Sequence, residues 1–182
     1  MEKLKQAYDV DVDVVWHSYE LRPRGSPPML PEYRARIEAA QPRLLKIARE
    51  QYSLELNQGP MGTSSRAALI AAKVAEAQGK GAAYHDAVFR AYWQCANNIG
   101  LIDVLAEIAQ HIGLAREAFL AALNDEAYEA QVEADIEQAY QYGLTGVPAL
   151  IFDNRYLVSG AQPYEVLKQV VEKLQEENRS EN

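Results

Sequence analysis

The dipeptide Val147-Pro148 stands directly before the apolar run Ala149-Leu-Ile-Phe, and its residue types allow an unusual backbone geometry. An X-Pro bond is the peptide bond for which the cis isomer is cheap, and a cis bond fixes a tight bend. In that bend the amide and carbonyl of Val147 would face solvent as free hydrogen-bonding groups. From these residues alone the alternative is a plain trans turn, because cis accounts for about 5–6% of X-Pro bonds in folded proteins.

Cys95 is the single cysteine, so the sequence excludes an intrachain disulfide and a metal cluster built on cysteine. This usage agrees with a reducing cytoplasm. We expect Cys95 to be a buried or half-buried structural residue at the end of a helix, because free cysteine is among the most buried residue types. The alternative is a reactive thiol, which could form a mixed disulfide but could not run an intramolecular dithiol cycle.

The remaining polar residues offer weaker chemistry. His17, His85 and His111 lie far apart on different predicted elements, without a carboxylate spacing typical of metal ligation, so no metal site is expected. No glycine-rich phosphate loop is present, and Ser64 and Ser65 are better explained as a helix cap than as a nucleophile. These residues therefore indicate no catalytic centre by themselves.

The overall charge limits the partners. The net charge is -8, with the acidic residues interspersed among lysines and arginines, which indicates a solvated surface and argues against nucleic acid as a partner. The first residues are charged, and no stretch approaches the roughly 18 apolar residues that a membrane span requires. We expect a protein that is neither exported nor embedded in a membrane, located in the cytoplasm.

The first half of the chain predicts one strand and two helical segments. Alternating valines and aspartates from Val10 predict a strand that ends near Leu21, and the proline-rich stretch 22–31 predicts a loop. A helical pattern follows over 32–51. We expect a break at Pro42, because proline inside a helix removes a hydrogen bond, with the helix restarting there. Residues 52–56 indicate a short strand or an extended segment.

A helical block and a hairpin follow. Apolar residues at three- and four-residue spacing predict helices, and the first of them is capped by 63–65. The helical segments are 66–77, 84–93, 102–112, 116–123 and 125–142. The runs 149–152 and 156–159, joined by a tight turn, predict a β-hairpin. A last amphipathic helix opens at Pro163, and its residues beyond Glu176 are expected to fray.

The residues around Pro148 carry a resemblance to a known family. The stretch Gly143-Leu-Thr-Gly-Val-Pro-Ala-Leu-Ile-Phe, followed by Tyr156-Leu-Val-Ser-Gly-Ala-Gln-Pro, resembles the cis-proline loop and hairpin of DsbA-family proteins, especially the cytoplasmic FrnE-like branch. Segments 84–93 and 102–113 resemble that branch's helical insertion. The resemblance favours the cis form of the Val147-Pro148 bond. It also implies that the Val147 main chain binds extended substrate, and that Met61 lines a substrate surface, although Met61 could equally fill a loop.

The resemblance implies an α/β, thioredoxin-like fold with an all-helical insertion domain. We expect 1–62 and 143–182 to form the thioredoxin-like domain and 63–142 the insertion. The chain resembles the family from the back half of the first helix onward, so the first strand and the start of that helix would be missing. Two explanations stay open: a truncated or mis-started redox enzyme, or a natural remnant that has lost the chemistry.

The function implied by the resemblance is thiol-disulfide exchange on protein or small-molecule disulfides, without a cofactor. The family's Cys-X-X-Cys is absent, so we expect this chain to be inactive or nearly so. A second hypothesis is a glutathione-dependent enzyme, like the kappa glutathione transferases and 2-hydroxychromene-2-carboxylate isomerases. A third is a non-catalytic module that binds an extended peptide or forms a homodimer through the incomplete sheet edge.

Overall fold

The computed structural model of the chain describes residues 2–8, 12–23 and 25–180. Ten elements follow one another along it, eight helices and two strands, within those described residues. In chain order they are α1 Glu2–Ala7, α2 Pro31–Tyr52, α3 Arg66–Ala77, α4 Gly81–Trp93, α5 Ile102–His111, α6 Arg116–Ala122, α7 Glu126–Gln141, β1 Ala149–Phe152, β2 Tyr156–Ser159 and α8 Tyr164–Ser180.

The contacts within the chain divide it into two units. The first unit combines Met1–Leu21 with Asp135–Asn182, and the second is Arg22–Ala134. The domain limits predicted from the sequence, at residues 62 and 143, stay a prediction.

The core of the second unit lies among α3, α4, α5 and α6. Small residues on α3 allow the neighbouring helices to approach closely, since Ala71 and Ala75 are fully buried. Tyr84 of α4 and Phe119 of α6 are also fully buried, with ring centroids 5.9 Å apart. The buried positions of α4, Tyr84, Val88 and Ala91, are four and three residues apart, which is the spacing that places side chains on one helical face.

The first unit has a smaller core between its hairpin and two helices. Leu150 and Phe152 are two residues apart in β1 and therefore point to the same face of the sheet. They pack, together with Val158 of β2, against a cluster formed by Leu4 of α1 and by Leu167 and Val171 of α8.

The hairpin confirms the sequence prediction in both bounds and turn. β1 and β2 are antiparallel, with Leu150 opposite Val158. The Arg155 amide donates to the Phe152 carbonyl at 2.9 Å, and the two residues between them, Asp153 and Asn154, have φ of 50° and 52°. Two consecutive positive φ angles are what a type I′ turn requires, and aspartate and asparagine tolerate them better than most residues.

The predicted break at Pro42 is wrong, because α2 runs without interruption through this proline. Proline at position 42 deprives the Glu38 carbonyl of its helical donor. Both residues are exposed, so water can hydrogen-bond that carbonyl, and the helix continues. Helix α8 extends to Ser180, past Glu176, and the predicted fraying of its last residues stays a prediction.

The predicted first strand is also wrong over the described residues 12–20, which have no regular secondary structure. Val10, where that prediction began, lies outside the described residues. The period-two alternation is present only in part: Val12 and Val14 are half-buried and Val15 is exposed, but the next two residues are exposed as well. Alternation makes a strand only where a neighbouring strand supplies hydrogen bonds, and in the described part of the chain β1 pairs with β2 alone.

Candidate functional site

A Schellman motif ends α7, and the chain then continues into the Val147-Pro148 loop. The Gly143 amide donates to the Tyr140 carbonyl at 2.9 Å, and the Leu144 amide donates to the Ala139 carbonyl at 3.0 Å. These are the two hydrogen bonds that define the motif, and Gly143 has the positive φ, 69°, that it requires. The motif satisfies the last carbonyls of α7 and turns the chain towards β1.

The loop ends where the hairpin's hydrogen bonds begin. The Val147-Pro148 peptide bond is cis. The Pro148 carbonyl accepts a hydrogen bond from the Gly160 amide at 2.8 Å, which extends the antiparallel pairing one position beyond β1 and β2. Pro148 has no amide hydrogen, so the reciprocal bond cannot form and the ladder stops there.

Val147 is therefore the first residue outside the ladder. Val147 is 48% exposed, and within the described residues neither its amide nor its carbonyl takes part in a hydrogen bond. An extended chain can use such a pair of main-chain groups by adding itself as a short strand. The arrangement is suited to binding a peptide main chain, and it supplies no group able to transfer a proton or attack a disulfide.

The other site residues predicted from the sequence lie in the second unit. Met61 is half-buried in the turn before α3, so its side chain is only partly available. Cys95 follows α4 and is exposed, so the predicted burial is wrong. The chain leaves α4 through a turn that contains Ala96, whose φ is 58°. The predicted structural role of Cys95 stays a prediction.

Ser64 and Ser65 precede α3 as predicted, but the capping contact is weak. Ser65 is the N-cap residue and makes no side-chain capping hydrogen bond. The hydroxyl of Ser64 accepts from the Arg66 amide at 3.4 Å, a long contact. Arg66 also bonds through its guanidinium to the carboxylates of Glu129 and Glu133, which neutralise its charge.

The sequence did not predict one cluster of polar residues in the first unit. Nδ1 of His17 lies 2.8 Å from Oδ1 of Asp135, and Oδ2 of the same carboxylate accepts from the Ser18 amide at 2.7 Å. The two partners are 118 residues apart, so no local pattern could have signalled the contact. The carboxylate fixes the segment at His17 to α7.

Among the described residues, no group of three or more histidine, cysteine, aspartate or glutamate side chains is arranged to hold a metal ion. Nor does any described helix combine the length and the apolar character needed to cross a membrane.

Comparison with known proteins gives a family and several relatives. The DSBA-like thioredoxin domain family matches residues 1–172. The uncharacterised protein YwbO of Bacillus subtilis is 27% identical over 164 residues, which cover 88% of this chain and 82% of YwbO. A probable DsbA oxidoreductase of Streptomyces coelicolor superposes with a TM-score of 0.79 at 30% identity, covering 94% of this chain and 80% of that one. A 2-hydroxychromene-2-carboxylate isomerase superposes with a TM-score of 0.79 at 20% identity, covering 100% of this chain and 90% of the isomerase.

Proposed function

Because the chain belongs to the DSBA-like thioredoxin domain family and has its thioredoxin-like fold, we propose that it is of the FrnE-like thiol-disulfide oxidoreductase type, with the substrate binding of that type but, in this polypeptide, without its turnover. Its substrates are protein or small-molecule disulfides, bound in extended form against the main chain of Val147. We further propose a cytoplasmic location. The observation that carries the proposal is the exposed Val147, whose amide and carbonyl are left free beside the last rung of the hairpin.

The proposed reaction needs two sulfurs in the enzyme. One thiolate attacks the substrate disulfide and forms a mixed disulfide, and a second thiolate then releases the reduced substrate while the enzyme's own disulfide forms. The 182-residue sequence has one cysteine, Cys95, so it cannot supply both. We therefore propose that this polypeptide binds substrate without turning it over.

Insulin reduction tests the catalytic half of the proposal. The chain should precipitate insulin in dithiothreitol no faster than dithiothreitol alone, and Cys95→Ser should behave in the same way. A rate above that background which disappears in Cys95→Ser would show that a single exposed thiol sustains turnover, and the inactivity proposal would fail.

A peptide titration tests the binding half. The probe is a short extended peptide that contains S-methylated cysteine, which can bind but cannot exchange. Amide resonances of Thr145, Gly146 and Val147 should shift on addition of the peptide, while that of Gly113, a turn residue of the second unit, should not. Val147→Ala keeps both main-chain groups and should bind as the parent does, whereas Val147→Pro removes the amide and should bind more weakly. Saturable binding that leaves the Val147 resonance unmoved would contradict the proposed site.

The second candidate is a glutathione-dependent isomerase or transferase. The support for it is the fold that this chain shares with 2-hydroxychromene-2-carboxylate isomerase. Glutathione is itself a short peptide, and its amide groups would pair with the free amide and carbonyl of Val147 in the same way. No other cofactor is proposed. Titration with reduced glutathione separates the two candidates: saturation by glutathione with no response to the S-methylated peptide favours the isomerase type, and the opposite pattern favours the oxidoreductase.

A further inference from the structure

Helix α2 is exposed along nearly its whole length. It has 22 residues, all of them described, and Ala48 is the one that is buried. A helix gains most of its stability from packing an apolar face, so a long helix with an exposed apolar face is incomplete by itself. The continuity of α2 through Pro42 matters here, because it places residues of both halves on a common face.

The apolar residues of α2 follow a heptad pattern. Spacings of three and four alternate from Leu30, just before the helix, to Ile47, and the positions are Leu30, Tyr33, Ile37, Ala40, Leu44 and Ile47. We call this set the α2 seam. Leu30 is 66% exposed, Tyr33 47% and Leu44 44%, while Ile37 and Ile47 are half-buried. Alternating spacings of three and four are the pattern by which two helices pair as a coiled coil.

We propose that the α2 seam pairs with the α2 seam of a second copy of this chain, antiparallel, about a two-fold axis that passes near Pro42. Antiparallel pairing about that point sets Ile37 opposite Ile47 of the second copy, and Leu44 opposite its Ala40. Leu44 thus packs against the small Ala40, and Ile37 packs against another β-branched residue. The two-fold axis repeats each of these pairs once. Pro42 itself lies on the side of the helix away from the seam, where its ring obstructs nothing.

The charges that flank the seam favour this orientation. In the antiparallel pair Arg36 lies opposite Glu50 of the second copy, and symmetry repeats this ion pair. In a parallel pair the flanking Arg36 and Arg43 would meet Gln41 and Ala48, so no opposite charges would face each other. Glu50 is free to change partner, since its contact with Lys46 is long, 4.0 Å, and both side chains are exposed.

One contact opposes association. Arg43 meets Arg43 of the second copy across the axis, and like charges at that distance repel. The paired length is also modest, about 33 Å for 22 residues at 1.5 Å per residue. The expected dimer is therefore reversible and depends on concentration. It does not depend on the proposed oxidoreductase function.

Sedimentation velocity on the whole chain tests the proposal. The experiment is done with reductant, so that the exposed Cys95 cannot join two chains. A species of twice the 20.4 kDa chain mass should grow with concentration. Leu44→Glu should raise the dissociation constant at least about tenfold. Leu45→Glu is the matched control, because it introduces the same residue one position off the seam and should leave the dissociation constant unchanged.

A charge exchange then tests the orientation. Arg36→Glu and Glu50→Arg should each weaken the dimer, and the double variant should restore it. Arg43→Gln should strengthen it. Circular dichroism must show unchanged helix content in every variant, which is expected at exposed positions. A chain that stays monomeric, equal effects of Leu44→Glu and Leu45→Glu, or a double variant as weak as the single ones would each overturn the proposal. Equal effects would instead fit association elsewhere, such as at the sheet edge predicted from the sequence.

Discussion

Nδ1 of His17 lies 2.8 Å from Oδ1 of Asp135, and the pair joins an irregular segment to α7. The second oxygen of Asp135 accepts the amide of the next residue, Ser18, at 2.7 Å. A carboxylate that uses both oxygens on two consecutive residues fixes the position and the direction of that segment. The Asp135 side chain is 12% exposed, so water competes poorly for these contacts.

The stability lost on replacing Asp135 should depend on whether the new side chain can accept a hydrogen bond. Asp135→Ala leaves the Ser18 amide without its acceptor in a buried position and should lower the free energy of unfolding by about 1–3 kcal/mol. Asp135→Asn keeps an acceptor and should cost less. Urea unfolding followed by circular dichroism measures both variants. Glu137→Ala, two residues along the same helix and exposed, is the control and should change the free energy by less than about 0.5 kcal/mol. If Asp135→Ala lost as little unfolding free energy as Glu137→Ala, the Asp135 contacts would contribute nothing to stability.

The Tyr84 hydroxyl is buried in the core of the second unit and has no hydrogen-bond partner in the described chain. Tyr84→Phe removes this unpaired group, so the variant should be at least as stable as the parent at neutral pH, by up to about 2 kcal/mol. Tyr84→Ala should instead lose about 3–5 kcal/mol, because it leaves a cavity beside Phe119. Chemical denaturation of both variants gives these values, and a large loss in Tyr84→Phe would show that the hydroxyl is satisfied.

Alkaline pH provides a separate test of Tyr84. Burial raises the pKa of Tyr84 well above its ordinary value of 10.0. A pKa raised by folding contributes stability that is complete below the unfolded pKa and is lost as pH rises above it. The parent should therefore lose stability relative to Tyr84→Phe above pH 10 and not below. The control is Tyr140→Phe, which removes a hydroxyl from an exposed tyrosine and leaves Tyr84 in place. A stability difference between parent and Tyr84→Phe that stays constant above pH 10 would contradict the pKa shift.

Gly59 is a position where a single methyl group should not fit. A Cβ placed there would lie 2.4 Å from the Asn97 carbonyl oxygen and 2.7 Å from the Tyr92 ring. The Gly59 amide also donates to the Tyr92 carbonyl, so the backbone cannot move away freely. Gly59→Ala should cost about 1–3 kcal/mol of unfolding free energy, measured by thermal or urea denaturation.

The matched control for Gly59→Ala is Gly146→Ala, because a Cβ at Gly146 would have no atom within 4 Å. Its stability should equal that of the parent, and so should its binding of the S-methylated peptide, since the main chain of Val147 is unchanged. Similar destabilisation at both glycines would show that the close approach at Gly59 is not what limits the side chain.

Local patterns predicted the elements well where short-range chemistry decides them. The hairpin follows from alternation and from a turn of residues that tolerate positive φ, Asp153 and Asn154, and its bounds are as predicted. The helices of the second unit end within a few residues of their predicted limits, because glycines such as Gly79 and Gly113 stop them with positive φ.

The predictions that failed depend on surroundings that a sequence window does not contain. Pro42 removes the donor for the Glu38 carbonyl, but both residues are exposed, so water can replace that donor. Alternation in 12–20 needed a partner strand. The exposure of Cys95 depends on which segments pack over the end of α4, and the contact between His17 and Asp135 joins positions far apart in the chain. For the candidate site, sequence found the loop, and the structure identified which of its groups are free.

The interrupted ladder at Pro148 also determines how selective and how lasting an interaction at Val147 can be. The two free groups of one residue provide two hydrogen bonds, each worth about 0.5–1.5 kcal/mol net. Their partners are main-chain atoms, which every amino acid shares, so this contact cannot distinguish one polypeptide from another. Many different polypeptides would therefore bind at Val147, and each would dissociate quickly.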